Sequence, residues 1–141
     1  MLEALTISFV NSYINNKNEI QAAKIASEIF TNIPISISSE VIPEMQEYER
    51  AETTVLNSYV RPQVSNYVNN LQSNLEKTLG NDVQLSILRS DGGLASSRAT
   101  ADSPGNHLMS GPAGGVAGAI HFCNQAGYEN ILTFDMGGTS T

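Results

Sequence analysis

Ser110-Gly111-Pro112-Ala113-Gly114-Gly115-Val116-Ala117-Gly118-Ala119 is followed, after a break at Ala126-Gly127-Tyr128, by Ile131-Leu132-Thr133-Phe134-Asp135-Met136-Gly137-Gly138-Thr139-Ser140. The first stretch predicts a helix over about 112–125 with Gly127 as its stop. The second predicts a buried strand, Ile131 to Phe134, that ends on a carboxylate and runs into glycines and hydroxyls. A glycine inside a helix costs up to about 1 kcal/mol relative to alanine. Gly111/Gly115 and Gly114/Gly118 are each four apart, so the small residues share a face that lets another helix come close. That face suits a tightly packed core helix, or a crossing between two parts that move.

The segment after Phe134 carries the most chemistry. Gly137 and Gly138 can take backbone angles closed to other residues, so successive N–H groups can converge on a phosphate oxygen. Thr139 and Ser140 add hydroxyl donors. Asp135 can hold Mg²⁺ through water, because that ion keeps most of its hydration shell. The same letters also describe a strand-ending Asp and an ordinary Gly-Gly hairpin turn. Ser110–Ala119 is not a Walker loop, since no Lys-Ser/Thr follows its glycines, and its spacing is not G-x-G-x-x-G.

Outward from these segments, glycine usage divides the chain. Of 11 glycines, only Gly80 precedes Gly92. Leu5, Ile7 and Phe9 alternate with polar residues and predict a strand. Asn15–Asn18 offers helix N-caps, and Ala22, Ile25, Ala26 and Ile29 then fall on one helical face. Ile33, Ile35 and Ile37 alternate again, which makes a β-α-β unit. Pro43 to Leu79 reads as helix, broken or kinked at Pro62, with Gly80 as its stop. Val83, Leu85 and Ile87 predict a third strand, ended by Ser90-Asp91-Gly92-Gly93. A surface loop with some helix is expected from Ala95 to His107. The order of elements points to an α/β fold.

Composition narrows the function classes. The chain has 141 residues, 7 basic and 14 acidic side chains and a net charge of −7. Nucleic acid is a poor partner for such a chain, because phosphate-backbone binding needs clustered Lys and Arg. A lone Cys123, with His107 and His121 as the only histidines, gives neither a disulfide nor a zinc framework. No apolar run approaches the roughly 18–20 residues that span a bilayer, and Met1-Leu2-Glu3 lacks the basic start of a signal peptide. The expected setting is cytoplasmic, with no membrane partner.

Other residues carry two readings each. The run Glu44, Glu47, Glu49, Arg50, Glu52 reads as a solvated helix start favoured by the macrodipole, or as groups beside a cleft. Asp91 reads as a turn residue or as a loop residue that faces ligand. His107 is expected in a loop, His121 and Cys123 in helix packing, and Tyr48, Tyr59 and Tyr67 as core or rim.

The small-residue helix and the Asp-x-Gly-Gly-Thr strand end together resemble the actin-like ATPase superfamily, with its ribonuclease H-like architecture. There a glycine/alanine helix crosses between two lobes and the next strand carries the second lobe's phosphate loop. Ser38-Ser39-Glu40-Val41-Ile42-Pro43-Glu44, Glu47-Tyr48-Glu49-Arg50, Thr53-Thr54-Val55-Leu56-Asn57, Ser90-Asp91-Gly92-Gly93-Leu94, Leu108-Met109-Ser110-Gly111-Pro112-Ala113-Gly114-Gly115 and Asp135–Thr141, in that order, are similar to the hydantoinase A/5-oxoprolinase family. The resemblance implies a partial actin-like fold, from the end of the first lobe into the start of the second. Residues 1–40 would be the C-terminal part of the family's N-terminal domain, and 41–141 the N-terminal part of the hydantoinase A/oxoprolinase domain. It implies ATP and Mg²⁺ as cofactors, with Gly137, Gly138, Thr139 and Ser140 on phosphate. Asp135 would position Mg²⁺ or an attacking group. The implied activity is ATP-dependent opening of a cyclic amide such as a hydantoin or 5-oxoproline, with a hydantoinase B-type subunit or domain as partner. Related members serve in ATP-dependent ketone carboxylases. Asp91 stands where many members have asparagine, and Gly105-Asn106-His107 where a basic residue is frequent. The family's first phosphate loop has no counterpart here. The resemblance therefore implies an internal slice of a longer enzyme; the alternative is a catalytically incompetent fragment or interaction remnant.

Overall fold

The computed structural model describes residues 2–80 and 82–137. Strand β1 (Leu5–Ile7), helix α1 (Lys17–Ile29) and strand β2 (Ile35–Ile37) form the expected β-α-β unit. The two strands run parallel, in register Leu5↔Ile35, Thr6↔Ser36 and Ile7↔Ile37. The Asn-rich start of α1 caps it differently from the expected way. Asn16 at the N-cap position makes no side-chain bond; Asn15 Oδ1 accepts from the Lys17 amide at 3.2 Å instead.

A single turn of helix, α2 (Ser38–Val41), leads into α3 (Glu47–Leu79), which runs 33 residues without a break. Of the two expectations at Pro62, the break into two helices does not occur and a single helix runs through it. A proline inside a helix removes one ladder bond and strains the preceding turn, but α3 is tied on both sides of it. Asn57 Nδ2 donates to Ser36 Oγ at 3.1 Å, Arg61 Nη1 to the Ile35 carbonyl at 2.6 Å, and Ser65 Oγ to the Ala101 carbonyl at 2.7 Å. Thr6 Oγ1 donates to Ser58 Oγ at 2.7 Å. These ties hold the two halves of the helix to the same scaffold. Gly80 ends it at φ +99°, a conformation that side chains rarely adopt.

The third expected strand sits slightly later and gains a partner. β3 (Ser86–Leu88) pairs antiparallel with β4 (Leu94–Ser96). The anticipated loop from Ala95 to His107 is more regular than its polar sequence suggests: it holds the end of β4, helix α4 (Ser97–Asp102) and a 3-10 turn (Pro104–His107). Ser96 caps α4, its Oγ accepting from the Ala99 amide at 3.2 Å. Helix α5 (Ser110–Gln125) follows as expected and stops at Gly127, φ +80°.

The expected strand Ile131–Phe134 is absent: residues 130–137 adopt no regular structure. A strand exists only when its backbone groups find a ladder, and no strand among the described residues pairs with this segment. Its apolar side chains remain outside, Leu132 at 98% exposure. Among the described residues only Ile37 and Val68 are fully buried aliphatic side chains. Apart from Pro104, the other fully buried residues among those described are polar or charged.

Candidate functional site

The two segments that open the sequence come together. Pro112, Gly115, Val116 and Ala119 on α5 face Leu132, Thr133, Phe134 and Asp135 across a groove of about 680 Å³. A methyl group placed on Gly115 would lie 3.9 Å from Asp135 Oδ2, so the carboxylate rests directly against the glycine face of the helix. On another side of α5, a methyl at Gly114 would approach Leu88 Cδ2 to 2.6 Å. The small-residue face thus admits strand β3 and the 131–135 segment, whereas a partner helix was expected. Gly111 and Gly118 meet nothing.

Asp135 and Gly137 lie within the described residues and are exposed. Gly138, Thr139 and Ser140, the rest of the expected phosphate loop, lie outside them. No cluster of three or more His, Cys, Asp or Glu side chains occurs among the described residues. Among the described residues Asp135 is the carboxylate that would hold a Mg²⁺ ion there, with water and phosphate oxygens in its shell, which suits that ion's coordination habit.

Asp91 is a turn residue. Its Oδ1 accepts from the Gly93 amide at 2.9 Å and its Oδ2 pairs with Arg89 Nη2 at 2.8 Å, while Gly92 takes φ +83°. The turn is anchored to the start of α5, because Ser90 Oγ accepts from the Met109 amide at 3.0 Å. His107 holds the same corner through Nδ1 to the Leu88 carbonyl at 2.9 Å.

The acidic run at the head of α3 agrees with a solvated helix start at its carboxylates and departs from it at Arg50. Its carboxylates are exposed, but Arg50 is wholly buried and forms the hub of the upper fold. Arg50 Nη1 donates to the Glu44 carbonyl at 2.7 Å, Nη2 to the Phe9 carbonyl at 3.0 Å and to the Glu47 carboxylate, and Nε to Ser38 Oγ at 3.1 Å. The guanidinium also lies 5.4 Å from the centre of the Tyr13 ring. Ser38 Oγ donates its one proton to Glu19 Oε1 at 2.6 Å. It must therefore accept from Ser12 Oγ at 3.0 Å, because a hydroxyl has a single donor and two lone pairs. Ser38 relays a buried carboxylate to a buried guanidinium.

Glu19 also accepts from the amides of Phe9 at 2.7 Å and Ser39 at 2.9 Å. Burial pushes its carboxyl up, but these bonds and the Ser38 hydroxyl together hold it below the ordinary carboxylate value. The Asn11 amide, at 2.9 Å, and Arg50 do the same for Glu47. Sequence reasoning missed Ser12, Glu19 and Ser38. One signal was present: Arg50, Thr54, Asn57 and Ser58 fall at i, i+4, i+7 and i+8, a polar helical stripe where an apolar one is normal.

The hydantoinase/oxoprolinase family model matches residues 50–141. The chain belongs to the hydantoinase/oxoprolinase family. It is 36% identical to an uncharacterised protein of Methanocaldococcus jannaschii over 98% of its own length and 20% of that protein's. It is 32% identical to the caprolactamase subunit alpha of Pseudomonas jessenii, over 99% of this chain and 20% of the relative. Among solved structures, nucleotide-free acetone carboxylase, from a study of ATP-dependent acetone carboxylation, matches with a TM-score of 0.80 at 29% identity. That match covers 96% of this chain and 19% of the other. The chain thus spans about a fifth of the length of these relatives. The α/β fold is shared with them. No helix among the described residues is long and apolar enough to cross a membrane.

Proposed function

We propose that this chain supplies the phosphate-facing part of an ATP-dependent enzyme that opens a cyclic amide of the hydantoin or 5-oxoproline type. The observation that carries the reading is the seat of Asp135: its carboxylate lies against Gly115 of α5, at the point where the chain enters Gly137. A carboxylate held by a helix of small residues, followed by a glycine pair, can collect an anion and its cation in one place. Gly137, Gly138, Thr139 and Ser140 would present amide and hydroxyl donors to phosphate oxygens. Asp135 would hold Mg²⁺ through water. ATP supplies the free energy and the activating phosphoryl group that an unreactive amide lacks. Asp135 would hold the cation in place or accept a proton from an attacking water through its exposed Oδ atoms.

In this reading α5 is a contact that shifts when two lobes of an actin-like fold close. The change from the family's N-terminal domain to the hydantoinase A/oxoprolinase domain falls near residue 40. A hydantoinase B-type subunit or domain is the partner, and the cytoplasm the setting. The subunit naming of the Pseudomonas relative supports a multi-part enzyme. The likeness to acetone carboxylase favours a second reading, in which the same nucleotide chemistry serves carboxylation of a ketone.

Titration with Mg·ATP tests the shared step. The amide resonances of Gly115, Asp135 and Gly137 should shift saturably, and Asp135→Asn should weaken the apparent affinity about tenfold, the loss of one charge-assisted contact. Unmoved resonances at these three residues, with shifts elsewhere or none, would refute the reading. ATP consumption coupled to 5-oxoproline or to acetone with bicarbonate then separates the two substrate classes.

A further inference from the structure

The 3-10 turn Pro104–His107 cannot satisfy its own first amides. Pro104 has no N–H, and the first bond inside the turn runs from the Asn106 amide to the Ser103 carbonyl at 3.3 Å. The Gly105 amide donates instead to Asn57 Oδ1 of α3, 48 residues away in sequence, at 2.9 Å. The other end of the same side chain, Nδ2, donates to Ser36 Oγ of β2 at 3.1 Å. Asn57 is wholly buried, with Ser36 and Pro104 buried beside it. A methyl placed on Gly105 would come within 3.2 Å of Asn57 Oδ1. The joint is thus completed by groups of the β-α-β unit, α3 and the turn alone.

From the turn, the ties run on to the candidate site. The Asn106 carbonyl accepts from the Ser90 amide at 2.8 Å, and His107 Nδ1 meets the Leu88 carbonyl at 2.9 Å. Ser90 Oγ accepts from the Met109 amide at the head of α5. The Leu88 side chain then lies against Gly114, and Asp135 against Gly115, the next residue. Arg61 and Ser65 of α3 also reach across, but they end on Asp102 and Ala101 of α4. Among the described residues, Asn57 is the α3 side chain that bonds to the turn itself. We infer that Asn57 is a positioning residue for the Asp135 seat: by holding Gly105 to β2, it fixes where α5 begins and which glycines it shows to Leu88 and Asp135. The inference rests on the nucleotide reading for its effect on ligand, and not for the pose of α5.

The joint asks for an acceptor on one side and a donor on the other within one planar group, which the asparagine amide supplies. A buried amide left without its acceptor is costly, so the turn is confined to one pose. Aspartic acid has the same outline: one oxygen can accept from Gly105, and either its own proton or that of Ser36 closes the other side. Alanine offers neither group.

Amide resonances of Gly114, Gly115 and Asp135 in the full chain, without nucleotide, read the pose of α5. Asn57→Ala should move all three, and Asn57→Asp should return them close to their parent positions. Gly105→Ala presses on Asn57 without removing a bonding group, and should move them as well. Thr54→Val, buried one turn earlier on α3 and bonded to the Arg50 carbonyl, controls for general loosening and should leave them in place. Circular dichroism checks that each variant is folded; if Asn57→Ala is not, Gly105→Ala against Thr54→Val decides. Titration with Mg·ATP then reads the consequence: the apparent affinity should fall about tenfold in Asn57→Ala and recover in Asn57→Asp. Still α5 resonances in the Asn57 and Gly105 variants, equal movement in Thr54→Val, or no recovery with aspartate would overturn the inference. So would an unchanged affinity in a chain that binds Mg·ATP. A parent chain that ignores Mg·ATP while α5 follows Asn57 would remove the nucleotide reading and leave the positioning of the Asp135 seat standing.

Discussion

Replacing Arg50 by methionine keeps the volume and removes every donor of the hub. The carbonyls of Phe9 and Glu44, Ser38 Oγ and the Glu47 carboxylate all lose a partner at once. Ser38 stays committed to Glu19, so Glu19 keeps its proton donor but loses the positive charge one hydroxyl away. Removing one member of a buried charged network costs about 3–5 kcal/mol. The bonds to the Glu44 and Phe9 carbonyls are only partly buried, so the lower end, about 3 kcal/mol, is expected. Domains of this size hold only about 5–15 kcal/mol in total. Urea unfolding followed at 222 nm, where the 33 residues of α3 dominate the signal, should show the midpoint fall by about 1–3 M for a slope of 1–3 kcal/mol/M. Arg98→Met, at an exposed position, should stay within about 0.5 kcal/mol of the parent. Arg50→Lys should fall between the two, because one ammonium cannot span acceptors that a guanidinium fork reaches separately. A loss below about 1 kcal/mol for Arg50→Met would mean that the acceptors satisfy themselves from solvent, and the hub argument would be wrong.

Two further outcomes are expected. The Glu19 carboxyl is held below its ordinary value in the folded chain, so its contribution is fully present above about pH 5 and is lost as the pH falls through the unfolded value, about 4.3, and below. Unfolding free energies measured from pH 7 to pH 3 should decline steeply for the parent and more gently for Glu19→Gln, with Glu47 accounting for part of the slope that remains; equal slopes would contradict the assignment. Gly118→Ala and Gly114→Ala should differ in sign: open space at Gly118 lets the helix gain up to about 1 kcal/mol, whereas at Gly114 the displacement of Leu88, about 1–3 kcal/mol, outweighs that gain. Thermal midpoints that move in the same direction would contradict the close approach of α5 to β3.

The β-α-β unit, the long helix and the small-residue helix were legible because their periods and stops are local. Gly80 and Gly127 ended helices where their letters said they would, each at positive φ. Pro62 left a choice between a break and a continuous helix that depends on what grips the helix on either side, and Asn57, Arg61 and Ser65 reach partners 21 to 36 residues away in sequence. The strand at Ile131–Phe134 misled for a related reason: alternation and apolarity create the capacity to pair, not the neighbour to pair with. Ala22, Ile25, Ala26 and Ile29 looked like the buried face of α1, yet its one fully buried residue is Glu19. Tyr48, Tyr59 and Tyr67, expected in the core or at its rim, are all exposed. At the candidate site, Asp135 was recognised from its flanking glycines, while its seat on Gly115 needed the fold.

Oily contacts tolerate sliding; directional ones do not. With Arg50, Thr54, Asn57 and Ser58 beneath it, α3 works as a keyed shaft: a turn of one residue, about 100°, would strand four polar groups at once. Drift by neutral substitution is therefore confined to the sunlit side of the shaft, while the angle at which that side is shown stays fixed.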